Sequence, residues 1–331
     1  IQIGLDDGYA YTKVALPDGR LIAVPSRARI GKSGVTWVHD GAQRIVEYET
    51  EGTLYSAGAV DGAPTHFEGY PTSSLNRVIV QHALQQAGLA GRSIHATSGL
   101  PVSAFYNSSG EQRRDAIERK RLSLQQMVQP KTEQLSAAIA FHQVIPEALA
   151  AWYDDVIVTD GDEVSLDKER VSVPIAIVDI GGRTTDYVVV KDQGILHASS
   201  GSLQGGMLDV KQQVANGIQQ RFDLENMGEQ LVSRAIEHGV VRLYGKDHDV
   251  AELVDTAKRE LVERLYAETR RQLGLGVELD RVVFAGGGSV ALAGHITDWY
   301  PNQAIAKHPV FANARGMLKY LQYVCDKSDV A

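Results

Sequence analysis

Cysteine is almost absent from this sequence of 331 residues: Cys325 is the only one, so no disulfide can form within the chain. Long apolar runs are also missing, because no stretch approaches the roughly 20 residues that a membrane-spanning helix requires. The start of the chain has no signal-peptide pattern. These absences predict a cytoplasmic protein. Since the sequence opens at Ile1 inside a strand-like segment, we expect a short preceding stretch that includes the initiator.

Positive charge is scarce relative to negative charge, with 33 Lys and Arg residues against 41 Asp and Glu residues and a net charge of -8. Sequence-independent binding to nucleic acid needs clustered Lys and Arg side chains that neutralise phosphates. We therefore expect no direct binding to nucleic acid, and any link to it would be indirect. With 44% hydrophobic and 22% charged residues, the chain can bury a sizeable core, and its length predicts two domains.

An apolar strand-like run, residues 173–178, leads directly into the sequence Asp-Ile-Gly-Gly-Arg-Thr-Thr-Asp at residues 179–186. Glycines in such a turn let backbone N–H groups converge on an anion, because no Cβ atom stands in the way. The acid at the end of the strand, Asp179, can hold a hydrated divalent cation against phosphate oxygens. The pattern predicts a phosphate site.

The same pattern occurs near the start of the chain. It places Asp, Gly and Thr at identical spacing after an apolar strand, and the matched residues are Asp6, Gly8 and Thr12 in the first copy and Asp179, Gly181 and Thr185 in the second. Repetition in both halves favours a duplicated domain. The alternative is that these are two ordinary β-hairpins with glycine turns.

Two further features belong to the same site. A third strand-like segment, residues 281–285, ends in Gly286, Gly287 and Gly288, and bare glycine backbone at a strand exit offers an edge along which a nucleoside can lie. Glu147 stands at the start of a helical segment between the two halves. Together with the two hairpins, these features predict a nucleotide cleft between two domains.

The chain is predicted to be an α/β protein with domains at residues 1–153 and 154–312. Each domain has an inserted outer subdomain, one at about 31–70 and one at about 208–273. Three helices without strand interruptions are expected in the second insertion, at residues 208–222, 227–237 and 250–273. An amphipathic helix at 313–325 is expected to pack back onto the first domain.

In such a cleft the two hairpins would hold the β- and γ-phosphates from opposite sides, so that loss of the γ-phosphate changes the angle between the domains. Asp6 and Asp179 would hold Mg²⁺ through its water ligands. Lys13 would neutralise phosphate charge, and Glu147, helped by Asp179, would orient or deprotonate the attacking water. The structural alternatives are turn capping for the aspartates, a solvated position for Lys13, and a favourable helix-dipole interaction for Glu147.

In order and spacing, these segments resemble the ParM/StbA family of plasmid-segregation proteins, within the superfamily of actin, sugar kinases and heat-shock chaperone ATPases. The motifs concerned are Asp6-Asp7-Gly8, Gly99-Leu100-Pro101 with Tyr106, Ile117-Glu118-Arg119-Lys120, Pro146-Glu147, Asp179-Ile180-Gly181-Gly182 with Thr184 and Asp186, and Gly286-Gly287-Gly288. The Leu-Pro and Ile-Glu-Arg-Lys segments are the most specific of these. The resemblance implies two duplicated RNase-H-like, actin-like ATPase domains that close on a nucleotide.

The resemblance also implies a function. It is that of a bacterial cytoplasmic ATPase that converts ATP to ADP and phosphate and couples this reaction to filament assembly and disassembly. The implied cofactors are ATP, with GTP as the alternative nucleotide, and Mg²⁺. The implied partners are further copies of the chain, joined head to tail, and a DNA-binding adaptor at a centromere-like plasmid site. No membrane is involved.

The residue roles implied by the resemblance fall into four groups. They are Asp6, Gly8, Thr12 and Lys13 for the first phosphate loop; Asp179, Gly181, Gly182 and Thr184 for the second; Gly286, Gly287 and Gly288 for the adenosine edge; and Glu147 for hydrolysis. One position departs from the superfamily pattern, because Tyr9 stands where a small hydroxyl residue often follows the first glycine. The first loop is therefore expected to contact phosphate mainly through backbone N–H groups.

Three alternatives remain at this point. A small-molecule kinase of the same superfamily would need an acidic base facing a sugar pocket, for which the sequence has no clear candidate. A chaperone-type ATPase would need a substrate-binding domain after residue 325 or so. A nucleotide-gated interaction protein with negligible hydrolysis would leave Glu147 with a structural role only. For the filament alternative, the outer subdomains are the expected contact regions, because head-to-tail contacts do not close.

Overall fold

The structure is a computed structural model that describes residues 1–35, 45–63, 65–160 and 163–325. Its strands are β1 (Gln2–Asp7), β2 (Tyr11–Ala15), β3 (Leu21–Pro25), β4 (Ala28–Ile30), β5 (Ile45–Thr50), β6 (Thr53–Gly58), β7 (Ser93–Leu100), β8 (Gln129–Pro130), β9 (Ala138–Pro146), β10 (Ile157–Asp160), β11 (Glu163–Leu166), β12 (Ile175–Ile180), β13 (Thr184–Lys191), β14 (Gly194–Ile195), β15 (Gly201–Gln204), β16 (Val240–Leu243), β17 (Lys246–Asp249), β18 (Arg281–Ala285) and β19 (Gln303–Ile305). Its α-helices are α1 (Ser74–Gln86), α2 (Val102–Phe105), α3 (Arg114–Gln125), α4 (Leu149–Val156), α5 (Lys168–Ser172), α6 (Met207–Phe222), α7 (Glu229–His238), α8 (Ala251–Leu273), α9 (Gly286–Ala291) and α10 (Ala312–Tyr323). Among these helices none is both long and apolar enough to cross a membrane.

Two large sheets have the same topology. The first has the order β3-β2-β1-β7-β9, and the second has the order β14-β13-β12-β18-β19, with β15 also paired to β13. In each sheet a central strand pairs antiparallel with the strand after it and parallel with a later strand. The central strands are buried along nearly their whole length, which explains their continuous apolar sequences. The repeated motif thus lies at equivalent places in two equivalent sheets.

The strand directions explain why the glycine segments meet. β12 and β18 run parallel, and Asp179 pairs in register with Ala285, the last residue of β18. Since parallel strands end at the same edge of a sheet, the loop after β12 and the Gly286 segment emerge side by side. In the first sheet β1 and β7 are parallel in the same way. The loop that contains Gly8 therefore emerges at the corresponding edge.

The outer parts of the chain differ from the sequence expectation in two places. In the second insertion the three expected helices are present as α6, α7 and α8, but the hairpin β16–β17 lies between α7 and α8. The expectation of no strand there was wrong, because alternating residues of Val240–Leu243 are buried and the two-residue turn Tyr244-Gly245 has positive φ angles of 49° and 77°. In addition, residues 154–170, for which no strand or helix was predicted, contain the hairpin β10–β11 and the start of α5.

The first insertion belongs to a four-stranded sheet of order β4-β6-β5-β8. This sheet takes its edge strands, β4 and β8, from outside the predicted segment 31–70. Residues 36–44 and 64 of that segment lie outside the described residues. The domain limits at 1–153 and 154–312 stay a prediction.

The last helix, α10, lies against β1 and α4, both of which belong to the first half of the chain. Two glycines permit this close packing. A Cβ atom on Gly4 would lie 1.8 Å from the carbonyl oxygen of Ala314, and one on Gly316 would lie 1.6 Å from the carbonyl oxygen of Ala150. A larger residue at either position would force the helix away from the strand or from α4. As a result, the start of α10 is held beside Glu147 and β12.

Candidate nucleotide site

The carboxylates singled out in the sequence lie close together. Asp6 is next to last in β1, Asp179 is next to last in β12, and both are buried. Glu147 follows β9 directly and is partly buried. Burial, and then the negative charges of Asp186, Asp6 and Asp179, raise the pKa of the Glu147 carboxyl well above its usual value. The structure therefore brings the predicted metal-holding and catalytic side chains into one electrostatic site.

Lys13 lies directly across the ladder from Asp6, because the two residues pair in register in β1 and β2. Its Nζ atom donates a hydrogen bond of 2.8 Å to Asp6 Oδ2, and its side chain is only 13% exposed. Burial alone would lower the pKa of the Lys13 ammonium, but the charge and hydrogen bond of Asp6 raise it above its usual value. Lys13 is therefore a charged member of the site and not a solvated surface residue.

Asp186 occupies in the second sheet the register position that Lys13 occupies in the first, directly across from Asp179. Its Oδ1 atom accepts hydrogen bonds from the backbone N–H of Val102 at 2.7 Å and from the hydroxyl of Ser202 at 2.5 Å. Val102 belongs to the first half of the chain, so this carboxylate also links the two halves. No role was predicted for Asp186, although it ends the second copy of the repeated motif, at the position that Lys13 has in the first copy.

Asn313 is a second residue that the sequence analysis missed. At the start of α10 it donates from Nδ2 to Asp179 Oδ2 at 2.7 Å and accepts at Oδ1 from the backbone N–H of Ala148 at 3.2 Å. Ala148 follows Glu147 and has a φ of +61°, a conformation that L-residues rarely adopt. A single amide therefore joins Asp179 to the strained backbone beside Glu147. No local signal in the sequence marks this role.

Asp179 has an altered acidity of its own. Burial, followed by the charges of Asp6 and Asp186, raises the pKa of its carboxyl to about 7, and the hydrogen bond from Asn313 and the charge of Lys13 oppose this change. Around neutral pH, small changes in the local charge thus decide whether Asp179 is ionised. A cation close to Asp179 would favour the ionised form.

The raised pKa of Asp179 predicts a pH dependence of stability for the nucleotide-free protein. Between pH 4 and about 7 the folded protein holds a proton that the unfolded chain has released, so the free energy of unfolding falls as the pH rises through this window. Roughly three pK units correspond to an upper limit of about 4 kcal/mol. Urea unfolding at several pH values should give a flatter plot of unfolding free energy against pH for Asp179→Asn than for the wild type.

The control is Asp18→Asn at an exposed aspartate, which should keep the wild-type slope above pH 5. Identical slopes for Asp179→Asn and the wild type would contradict the raised pKa of Asp179.

The hydroxyl groups of the first loop face its own backbone. Thr12 is fully buried, and its Oγ1 atom lies 3.2 Å from the hydroxyl of Ser26, which donates to the carbonyl oxygen of Gly8 at 2.7 Å. Its counterpart Thr185 donates to the carbonyl oxygen of Gly205 at 2.9 Å. The hydroxyl groups of these threonines thus contact groups of the protein itself and support the conformation of the loops. Direct contact between Thr12 and phosphate stays a prediction.

The second loop joins the start of α6. The carbonyl oxygens of Gly181 and Gly182 accept hydrogen bonds from the N–H groups of Met207 and Leu208, at 3.1 and 2.8 Å. The neighbouring hydroxyl residue Thr184 is buried, and its hydroxyl opposes the rise in the pKa of the Asp186 carboxyl. The carbonyl groups of the loop are thus occupied on the side of α6. The N–H group of Gly181 donates to the carbonyl oxygen of Thr184 at 2.9 Å, so a phosphate could approach the loop only at the N–H groups after Gly181.

The glycines after β18 have different surroundings. A Cβ atom on Gly286, which has a φ of +81°, would lie 2.4 Å from Asp179 Oδ1, and one on Gly288 would lie 2.2 Å from Cγ2 of Ile180. These two positions therefore admit only glycine without rearrangement of β12. A Cβ atom on Gly287 would meet nothing within 4 Å. Gly287 thus presents bare backbone to open space, and its contact with a nucleoside stays a prediction.

The two halves also contact each other across the cleft. A Cβ atom on Gly182 would lie 2.9 Å from the Cβ atom of Ala10, so the two loops touch. Further out, Arg27 Nε lies 3.3 Å from Glu229 Oε2 at the start of α7, and Lys211 of α6 pairs with the same carboxylate. In the described structure the two halves therefore touch at these loops and at the Glu229 carboxylate.

The donor set fits a hydrated Mg²⁺ with a nucleotide. Within the described ranges no group of three or more His, Cys, Asp or Glu side chains could hold a metal ion directly. A cation held through its water ligands needs no such group. The four acids Asp6, Asp179, Asp186 and Glu147 outnumber the two cations Lys13 and Arg183, and buried charges of one sign require a partner. A divalent cation would supply the missing positive charge.

Comparison with known proteins agrees with this geometry. Residues 1–156 match the family described as the N-terminal part of the plasmid segregation protein ParM, and residues 177–298 match the C-terminal part of archaeal MreB-like actin homologues. No individual curated protein sequence matches the chain. The chain is similar in structure to ParM from a 15-stranded filament of Clostridium botulinum, with 19% identity and a TM-score of 0.76, covering 97% of this chain and 98% of that one.

Two further structures are similar. The archaeal actin homologue Ta0583 is 21% identical, with a TM-score of 0.75, and the match covers 97% of this chain and 99% of that one. ParM of Bacillus thuringiensis, solved with AMPPNP, is 14% identical, with a TM-score of 0.65 and coverage of 97% and 99%. Two duplicated domains with this strand order therefore define an actin-like fold, which confirms the predicted fold class. Residues 1–156 thus match the ParM/StbA family, and the chain as a whole is similar to actin-like proteins.

Proposed function

We propose that this protein is an ATPase that polymerises head to tail when it binds nucleotide, and that it segregates plasmid DNA through an adaptor protein. The main support is that Asp6, Asp179 and Glu147 meet at the edges of two duplicated sheets, with the pKa of Glu147 raised toward the range of a general base. The matched ParM family and the filament formed by the similar Clostridium botulinum protein support the polymer.

In the proposed mechanism the two hairpin loops hold the phosphates, and each charged side chain has one task. Backbone N–H groups of the loops at Gly8 and at Gly181 and Gly182 bind phosphate oxygens, and Lys13 offsets their charge. Asp6 and Asp179 would hold Mg²⁺ through its water ligands, and the positive charge supplied there would stabilise the transferred phosphoryl group. Gly286, Gly287 and Gly288 form the edge for the nucleoside.

Glu147 takes a proton from the attacking water in this proposal. Its raised pKa makes the carboxylate a better proton acceptor than an exposed glutamate, provided that it is ionised when the water is bound. Asn313 fixes the distance between Asp179 and the backbone next to Glu147, because it bonds to Asp179 and to Ala148. Asp179 helps to orient the water. The two carboxylates thus act as one unit that spans the cleft.

Hydrolysis would change the shape of the molecule because the same groups join the two halves. The γ-phosphate would bind the loops at Gly8 and Gly182 together, and its release leaves fewer contacts across the cleft. Contacts such as Arg27 with Glu229 would then have to hold the closed form alone. The Arg27 side chain is 13% exposed and that of Glu229 is 34% exposed, so this is a partly buried pair, and it would lack the support of the phosphate contacts. Opening of the cleft would change the subunit geometry and weaken the filament.

An indirect link to DNA agrees with the charge of the chain. The net charge of -8 opposes binding to a phosphate backbone, so an adaptor that binds DNA would have to connect the filament to the plasmid. In this proposal the protein acts in the bacterial cytoplasm. Subunits of the filament contact one another through the outer parts of both halves.

The proposal is tested by right-angle light scattering of the purified protein after addition of Mg-ATP, with phosphate release measured in the same sample. We expect scattering to rise above a critical protein concentration and to decay as phosphate accumulates. Mg-ADP is the control, and Mg-GTP tests the alternative nucleotide. Phosphate release with flat scattering would instead indicate a non-polymerising ATPase or, if a sugar stimulates turnover, a kinase.

A further inference from the structure

One pair of residues in the cleft has no role so far. Arg183 lies in the loop between β12 and β13, and Tyr9 lies in the equivalent loop between β1 and β2. The Nη1 atom of Arg183 donates a hydrogen bond of 3.3 Å to the hydroxyl of Tyr9. Its guanidinium carbon lies 5.3 Å from the centre of the Tyr9 ring. The Arg183 side chain therefore extends from the second phosphate loop to the first.

Arg183 is incompletely paired in this position. Its Nε atom is buried and has no hydrogen-bond partner, and Arg183 forms no ion pair within the described part of the chain. Burial raises the pKa of the Tyr9 hydroxyl to about 12, so the phenol is neutral. A full positive charge thus lies in the cleft against a neutral ring. Such a group gains free energy when an anion reaches it.

The position of this charge matches the place where the phosphates would end. Burial is the largest cause of the raised pKa of Tyr9, and the charge of Glu147 adds to it, so the pair lies within electrostatic range of the carboxylate that would activate water. Lys13 is already bonded to Asp6 at 2.8 Å. Of the two cations Lys13 and Arg183, Arg183 is therefore the one that no carboxylate neutralises in the described structure.

We propose that Arg183 recognises the terminal phosphate of a nucleoside triphosphate, and that the Tyr9 ring holds its guanidinium between the two loops until that phosphate binds. The planar guanidinium fork suits phosphate oxygens, and exchange of a neutral phenol for a phosphate replaces a weak contact with charge-assisted hydrogen bonds. Tyr9 stands where a small hydroxyl residue was expected, so the first loop offers Arg183 a resting partner. The inference rests on the proposed function, since it assumes a nucleotide in this cleft.

The test compares triphosphate with diphosphate. Dissociation constants of Mg-AMPPNP and Mg-ADP would be measured by isothermal titration calorimetry with the full chain and with Arg183→Ala. We expect the Mg-AMPPNP constant to rise about 10- to 100-fold, because a charge-assisted hydrogen bond is lost, and the Mg-ADP constant to change less than about threefold. For Arg183→Lys we expect a Mg-AMPPNP dissociation constant between that of the wild type and that of Arg183→Ala. Arg221→Ala is the matched control, since Arg221 also lies over an aromatic ring, 5.4 Å from the centre of Phe222, but outside the cleft.

The other outcomes are distinct. Equal weakening of both nucleotides, or unchanged Mg-AMPPNP affinity, would overturn the role of Arg183 while leaving the proposed function intact. If wild-type protein binds neither nucleotide, the proposed function fails and the inference fails with it. If Arg183→Ala does not fold, the Mg-AMPPNP affinities of Arg183→Lys and Tyr9→Phe test the role of Arg183 instead. Tyr9→Phe keeps the ring and frees the guanidinium, so it should not weaken Mg-AMPPNP binding; a loss as large as that in Arg183→Lys would contradict the proposal.

Discussion

The Glu147→Gln variant is expected to assemble with Mg-ATP and then fail to disassemble, with phosphate release at least about 100-fold slower than in the wild type. Glutamine has nearly the same volume and keeps the loop geometry, but it cannot accept a proton from water. Positioned general bases contribute about 10²- to 10⁴-fold to a rate, which sets the expected size of the effect. Light scattering and phosphate release, measured together under single-turnover conditions, report the two steps separately.

The matched control is Glu169→Gln, which makes the same change at an exposed glutamate of α5. It should hydrolyse ATP and disassemble like the wild type. Normal phosphate release from Glu147→Gln would rule out its role as the general base, and loss of nucleotide binding in that variant would show that Glu147 acts in binding. Its raised pKa would then reflect burial among acids without a catalytic purpose.

The second large effect is expected at a buried ion pair behind the first phosphate loop. Lys120 of α3 is fully buried, and its ammonium pairs with the carboxylate of Asp7 and donates to the carbonyl oxygen of Pro71 at 3.0 Å. Lys120→Met keeps the stem of the side chain but leaves the Asp7 carboxylate buried without its cation. Breaking a buried pair in this way costs roughly 3 to 5 kcal/mol. Urea unfolding of the nucleotide-free protein should show a loss of this size.

Two comparisons separate lost charge pairing from lost packing. The double variant Asp7→Asn with Lys120→Met removes both charges, so it should recover a large part of the stability lost in Lys120→Met. Lys131→Met breaks the pair with Glu49, in which both side chains are about 40% exposed, and it should cost about 1 kcal/mol or less. If Lys120→Met proved as mild as Lys131→Met, the pair would not be an important support of the loop.

Much of the site could be predicted because it follows from local patterns. An apolar strand that ends in an acid and glycines has a defined geometry, and its recurrence placed Asp6 and Asp179 at equivalent strand ends. The glycine exit at Gly286 was found in the same way. Since parallel strands end at one edge of a sheet, the pattern alone was sufficient to group these segments. The hairpin β16–β17 was missed because it is short and stands between two strongly helical segments.

Other parts of the site depend on contacts between segments that are distant in the sequence. Asn313 lies 134 positions from Asp179, and no property of an asparagine at the start of a helix indicates that it will bond to that carboxylate. Asp186 and Lys120 also have partners in other segments, at Val102 and Asp7. Such contacts arise only when helices and strands pack, so a periodic pattern in one segment cannot reveal them.

The sequence by itself determined that the chain forms two similar α/β halves with acids and glycines at equivalent strand ends, because strand periodicity and turn chemistry are local properties. Only the tertiary structure decided the ionic state of the site. Burial and mutual repulsion raise the pKa of Asp179 and of Glu147, while Lys13 remains a bonded cation and Arg183 rests on a neutral ring. The physical reason is that desolvation and Coulomb interactions depend on distances in space, which the order of residues along the chain does not specify.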